Sequence, residues 1–161
     1  MLYVIVNLFC VAAIIGLDQL IKWWAVEVLQ PAGSMPLIPH VVELYFTYNQ
    51  GMAFSMLSGR QLLLVVVTGI MLIGVAYWLF FRCRNNLLMQ ISLILVLGGG
   101  IGNFIDRVLN GQVVDYINLL FMKFAIFNFA DICLCVGAGL WALSIILEEY
   151  HGASETRRKE N

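Results

Sequence analysis

The stretch FAIFNFADICLCVGAGLWALSIIL, Phe124 to Leu147, is long enough to cross a bilayer and holds one charged residue, Asp131. A carboxylate at bilayer depth costs about 2.5–3.5 kcal/mol on insertion scales, so it needs a reason. Asn128 stands three residues before it, on the same face of a helix, where its amide can orient the carboxylate. Asp115 lies sixteen residues earlier, beyond an apolar reversal that can bring it back over Asp131. Two carboxyls that meet in a site poor in water cannot both ionise. They share a proton and titrate as a pair. One then acts as a base toward a water while the other donates a hydrogen bond to a carbonyl, as in aspartic proteases. The competing reading is structural: an ion pair or helix glue.

Other chemistries lack their residues. There is no H-E-x-x-H, and the two histidines, His40 and His151, fall in a loop and in the tail, which excludes a zinc protease inside the membrane. Without a histidine in a span, a Ser–His dyad has no base. Ser92 lies in a span with no lysine near it in sequence, and the G-x-G-D motif is absent. The four cysteines, Cys10, Cys83, Cys133 and Cys135, lie in or beside apolar segments and read as small hydrophobes.

These residues must be positioned by membrane helices. The chain has 161 residues, 61% hydrophobic and 12% charged, with a mean hydropathy of +0.89. That composition is an integral membrane protein of one domain. A net charge of −1 argues against nucleic acid as a partner. Four apolar blocks, roughly 2–24, 61–81, 87–106 and 124–147, each approach the ~20 residues of a spanning helix. Arg82 and Arg84 in the link after the second block, and Arg157, Arg158 and Lys159 in the tail 148–161, place both termini in the cytoplasm. The segments 25–60 and 107–123 then face outward. In the first, PAGSMPLIPH reads as loop. VVELYFTYNQGMAFSML reads as a β-hairpin or cradle with its turn at Asn49–Gln50–Gly51. The second outer segment reads as an interfacial loop or short helix.

The polar residues in or beside the spans are Asn7, Asp18, Lys22, Asn103, Asp106, Arg107, Asn128 and Asp131, with Asp115 in the interfacial stretch. Apart from Asn7 they converge on the outer leaflet, with Asp131 roughly 9 Å below the start of its block at ~1.5 Å per residue. Scattered helix glue does not predict such a gathering. Asp18 and Lys22, at i and i+4, read as an ion pair or as a holder of a ligand headgroup. Asp106 and Arg107 read as support at a helix end, and Gly98-x-x-x-Gly102 as close helix packing.

DQLIK (Asp18 to Lys22), NQGMAF (Asn49 to Phe54), GGGIGNFIDR (Gly98 to Arg107), VVDYI (Val113 to Ile117) and FNFAD (Phe127 to Asp131) occur in the order seen in lipoprotein signal peptidases, or signal peptidase II. The resemblance covers nearly the whole chain. It implies a bacterial inner- or plasma-membrane aspartic endopeptidase that removes the signal peptide from prolipoproteins carrying a diacylglyceryl group. The cut falls just before the lipidated cysteine. By resemblance, the catalytic aspartates are Asp115 and Asp131. The supporting polar residues are Asp18, Lys22, Asn49, Asn103, Asp106, Arg107 and Asn128, and the small-residue positions are Gly51, Gly99, Gly102 and Ala130. The resemblance further implies no metal or cofactor, contact with membrane lipids, and inhibition by globomycin-type cyclic peptides; the stretch Val108 to Phe124 reads as a lid that excludes bulk water.

Two departures stand out. Gly100 replaces a common alanine, and NLLFMKFAI lacks the tryptophan and proline usual before the F-N-x-A-D motif. Two other readings compete with the peptidase. A small proton or ion translocator using Asp131 needs a polar path inward, where the last block offers only Ser144. A scaffold subunit binding partner helices leaves the outer gathering of polar groups without a cause.

Overall fold

The structure, a computed structural model, describes residues 2–51, 60–83 and 86–160, the last ten by their backbone. The second half of NQGMAF, Arg84 and the side chains of the basic tail lie outside the described residues. Among those described, four helices are long and apolar enough to cross a membrane. They are α1 (Leu2–Ala32), α2 (Gln61–Arg82), α3 (Leu87–Asn110) and α4, apolar over Phe129–Tyr150 and continuing to Glu160. The chain is therefore an all-α membrane protein with a small β appendage.

The central helix is α3, which packs on α1, α2 and α4. Asn86 starts it by accepting the Met89 N–H at 2.9 Å, and Gly111, in the left-handed region at φ 71°, ends it. Lipid tails give helices no hydrophobic reason to associate, so close packing must hold them. Here the glycines supply it. A Cβ on Gly98 would lie 2.7 Å from the Ile14 side chain, and one on Gly102 would strike the Asp18 carboxyl. The G-x-x-x-G pair thus seats α1. Gly99 faces α4 instead, where a Cβ would lie 2.5 Å from the Ala130 carbonyl oxygen. By contrast α2 buries Leu64 alone over Gln61–Tyr77 and presents Leu62, Ile70 and Ile73 outward. That is the surface a helix shows to lipid.

A three-stranded antiparallel sheet, in order β1-β2-β3, caps one end of the bundle. It comprises β1 (Ser34–Ile38), β2 (Val42–Asn49) and β3 (Val113–Leu119). Two expectations are corrected here. The proline-rich segment holds β1, and Pro36 is tolerated because β1 is an edge strand, where a missing N–H costs no central ladder bond. β1 and β2 form a hairpin whose turn holds His40 at φ 63°, while the turn expected at Asn49–Gln50–Gly51 leads into residues 52–59, which lie outside the described residues. The second outer segment is neither loop nor short helix over its middle: VVDYINL, rich in β-branched residues, completes the sheet as β3.

Helix bounds shift as well. α1 passes its expected end at Trp24 through a π-helical turn, Ala25–Leu29, before Gly33 stops it at φ 79°. The extension has a packing cause: Ala25 and Leu29 are fully buried against Val114 and Tyr116 of β3. α4 begins at Phe129 rather than near Phe124, which puts Asp131 in its first turn.

Candidate active site

The N-terminus of α4 is built from side chains. The first N–H groups of any helix lack partners within it. Here the Asp131 N–H donates to Asn128 Oδ1 at 2.9 Å, and the Asn128 N–H donates to Asp131 Oδ2 at 3.1 Å. That reciprocal pair is a capping box made with Asn and Asp. Between them, the Phe129 N–H donates to the Tyr116 hydroxyl at 3.1 Å and the Ala130 N–H to Asp18 Oδ1 at 3.2 Å. Four backbone donors are thus taken by four side chains from three elements. Asp131 is thereby locked in orientation, with its other oxygen accepting from Asn103 Nδ2 at 2.8 Å.

Asp115 arrives from β3. It sits opposite Thr47 of β2, so Asn49, two residues along, shares its face as a diagonal neighbour. Asn49 Nδ2 donates to Asp115 Oδ2 at 2.9 Å, and Asn128 Nδ2 donates to Oδ1 at 2.7 Å. Asp115 is only 2% exposed. Burial pushes its carboxyl up to about 6; the Asp131 charge adds to the rise, while the two amides and Lys22 oppose it. Burial also raises the neighbouring Tyr116 phenol, which stays protonated as a cap. A pocket of about 460 Å³ opens beside Asp115, between residues 47–49 and residues 123–126.

Beneath the pair lies a buried charge cluster. Lys22 Nζ is 2.9 Å from both Asp18 Oδ2 and Asp106 Oδ2, and donates to Asn103 Oδ1 at 2.8 Å. Lys22 therefore spends its three donors on one ion pair within α1 and two contacts to α3. Asp106 also accepts the Val114 N–H at 3.3 Å, which fastens β3 to α3 one residue before Asp115. Arg107 donates to the Gly51 carbonyl at 2.9 Å, while the Gly51 N–H donates to Asn49 Oδ1 at 2.9 Å. Asn49 is thus held from behind while its amide faces Asp115. Gly99, Gly102 and Ala130 are the contact points that let α3 approach α1 and α4.

The structure therefore brings all thirteen residues singled out from the sequence into one connected region at the sheet end. Two members escaped the sequence reading. Gln19 Nε2 lies 3.2 Å from Asp18, Asp106 and the Gly102 carbonyl. The Tyr116 hydroxyl caps α4. Both sit inside quoted motifs, DQLIK and VVDYI, but neither carries a charge that draws attention in an apolar sequence.

The family model for signal peptidase (SPase) II matches residues 10–147. The chain belongs to the signal peptidase II family. A lipoprotein signal peptidase of Halalkalibacterium halodurans is 40% identical over 96% of this chain and 98% of its own length. One from Streptococcus pneumoniae is 41% identical over 88% and 93%. Among solved structures, a bacterial membrane enzyme determined by the in meso method at 2.3 Å superposes with a TM-score of 0.84. It is 32% identical and covers 89% of each chain. A second, at 1.9 Å, gives 0.79 at 33% identity, over 87% of this chain and 92% of that one. As a member of that family, the chain is a multi-pass protease of a bacterial membrane, and its fold resembles those two solved membrane enzymes.

Proposed function

We propose that this signal peptidase II is an aspartic endopeptidase that removes the signal peptide from diacylglyceryl-modified prolipoproteins, cutting just before the lipidated cysteine. The observation that carries the reading is Asn128, which donates to Asp115 and caps the helix that presents Asp131. One rigid amide ties together two carboxyls from separate elements. The sheet end faces outward and both termini lie in the cytoplasm, in keeping with the cationic links and tail.

In this mechanism Asp131 takes a proton from a water whose oxygen attacks the scissile carbonyl carbon. Asp115, protonated in its dry setting, gives its proton to the carbonyl oxygen. The tetrahedral diol collapses as Asp131 passes its proton to the cysteine nitrogen and Asp115 recovers one from a hydroxyl. The C–N bond breaks, leaving a free carboxylic acid on the signal peptide and a new amino terminus on the cysteine. The buried Lys22 cluster holds the helices in register, and Asn49 and Arg107 hold the pocket. Globomycin-type cyclic peptides would compete for the same place.

Cleavage of lipidated and unlipidated prolipoprotein by purified protein tests the reading. Only the lipidated form should be cut, and Asp115→Asn and Asp131→Asn should each abolish cutting while the protein still folds. Normal turnover by either variant would end the dyad assignment.

A further inference from the structure

We propose that the pocket beside Asp115 receives the first residue after the lipidated cysteine, and that Lys123 gives this subsite a preference for an acidic side chain. The proposal rests on the peptidase reading above and adds a specificity to it. A spanning signal peptide and two acyl chains occupy the membrane side of the scissile bond. The polypeptide beyond the cysteine must leave on the other side, past the sheet. The pocket lies there: β2 contributes residues 47–49, the loop before α4 contributes residues 123–126, and Asp115 joins them.

The charges lining it are unequal in reach. Asp115 is buried, and both its oxygens accept amide N–H groups. Lys123 is exposed and, among the described residues, makes no ion pair or hydrogen bond. A side chain entering the pocket therefore meets an ammonium free to pair, while the Asp115 carboxyl is already held by two amides. An exposed pair of this kind is a small effect, roughly two- to fivefold in rate constant, and salt weakens it.

The test uses the full chain in phosphatidylcholine vesicles and three diacylglyceryl prolipoprotein peptides with Asp, Asn or Lys directly after the cysteine. At low ionic strength kcat/KM should favour Asp over Lys by roughly two- to fivefold. The ratio should fall to about one in Lys123→Ala, invert in Lys123→Glu, and fade in about 0.5 M salt. The same ratio in all three enzymes would overturn the subsite alone. A change equal for all three peptides, tracking the anionic lipid added to the vesicles, would also overturn it, since Lys123 would then answer to lipid phosphate. If wild-type protein cleaves none of the lipidated peptides, the peptidase reading fails and the subsite falls with it.

Discussion

Asn128 Nδ2 stands 2.7 Å from Asp115 Oδ1, and the same side chain accepts the backbone N–H of Asp131 at 2.9 Å. One residue therefore sets both the helix start and the placement of a strand carboxyl. The two duties can be separated. Asn128→Asp keeps an acceptor for the cap but turns an acceptor toward Asp115, whereas Asn128→Ala loses both. Thermal unfolding in detergent should show Asn128→Asp at least as destabilised as Asn128→Ala, because the retained cap is outweighed by a buried carboxylate facing Asn103 Oδ1, the Val114 carbonyl and Asp115 Oδ1. Both should lose at least ~10-fold in kcat/KM, about the effect of one misplaced hydrogen bond. Full activity in Asn128→Asp would show that the amide contact to Asp115 is dispensable.

Asp115 makes stability depend on pH. Its carboxyl is raised from 3.8 to about 6 by burial, so the folded state keeps a proton that the unfolded chain has released between those values. The stability this contributes is present below about 3.8 and is lost as pH rises through about 6. The loss across that range amounts to about 3 kcal/mol. Asp115→Asn, which cannot ionise, should therefore gain stability relative to wild type on going from pH 4 to pH 7. A denaturation midpoint difference that is flat across this range would refute the shift. If Asp115 is the proton donor, kcat/KM should also decline above about pH 6, on the alkaline side of its profile.

Lys22 neutralises two buried carboxylates. Lys22→Met should cost about 3–5 kcal/mol, because it leaves Asp18 and Asp106 uncompensated. Adding Asp106→Asn to it should restore part of that loss. Unfolding midpoints of the single and double variants check this, and equal midpoints would mean that the charge balance at Lys22 is unimportant.

The small residues of α3 and α4 differ in what surrounds them. Gly99→Ala forces a methyl group against the Ala130 carbonyl and should cost about 1–3 kcal/mol. Gly139→Ala meets nothing within 4 Å and should change stability by less than about 0.5 kcal/mol. A thermal shift assay on both variants compares a close helix contact with open surface.

Much of this protein is legible in its sequence because the bilayer narrows what an amino acid can mean. Long apolar runs have to be helices, since lipid leaves no other way to satisfy the backbone. Charged residues in those runs are costly enough to mark Asp18, Lys22, Asp106 and Asp131 at sight. Their gathering at one end follows from counting along alternating helices. The sheet was harder to read, because Pro36 signals a break and VVDYINL, buried on both faces over its first four residues, shows no polar–apolar alternation. Pairing across the chain decided both: β2 lies between β1 and a segment that begins more than sixty residues after it.

The sequence by itself determined the membrane class, the four spans and the list of residues with chemistry to offer, because each depends on composition or local spacing. Only the tertiary structure decided which atom meets which. Asn128 joins Asp115 to α4, Asp18 caps that helix from α1, and Asp106 fastens β3 to α3. Those contacts depend on the close helix approach that the glycines permit and on the strand register. A carboxylate's partners are set by distances of about 3 Å, which no spacing along the chain encodes.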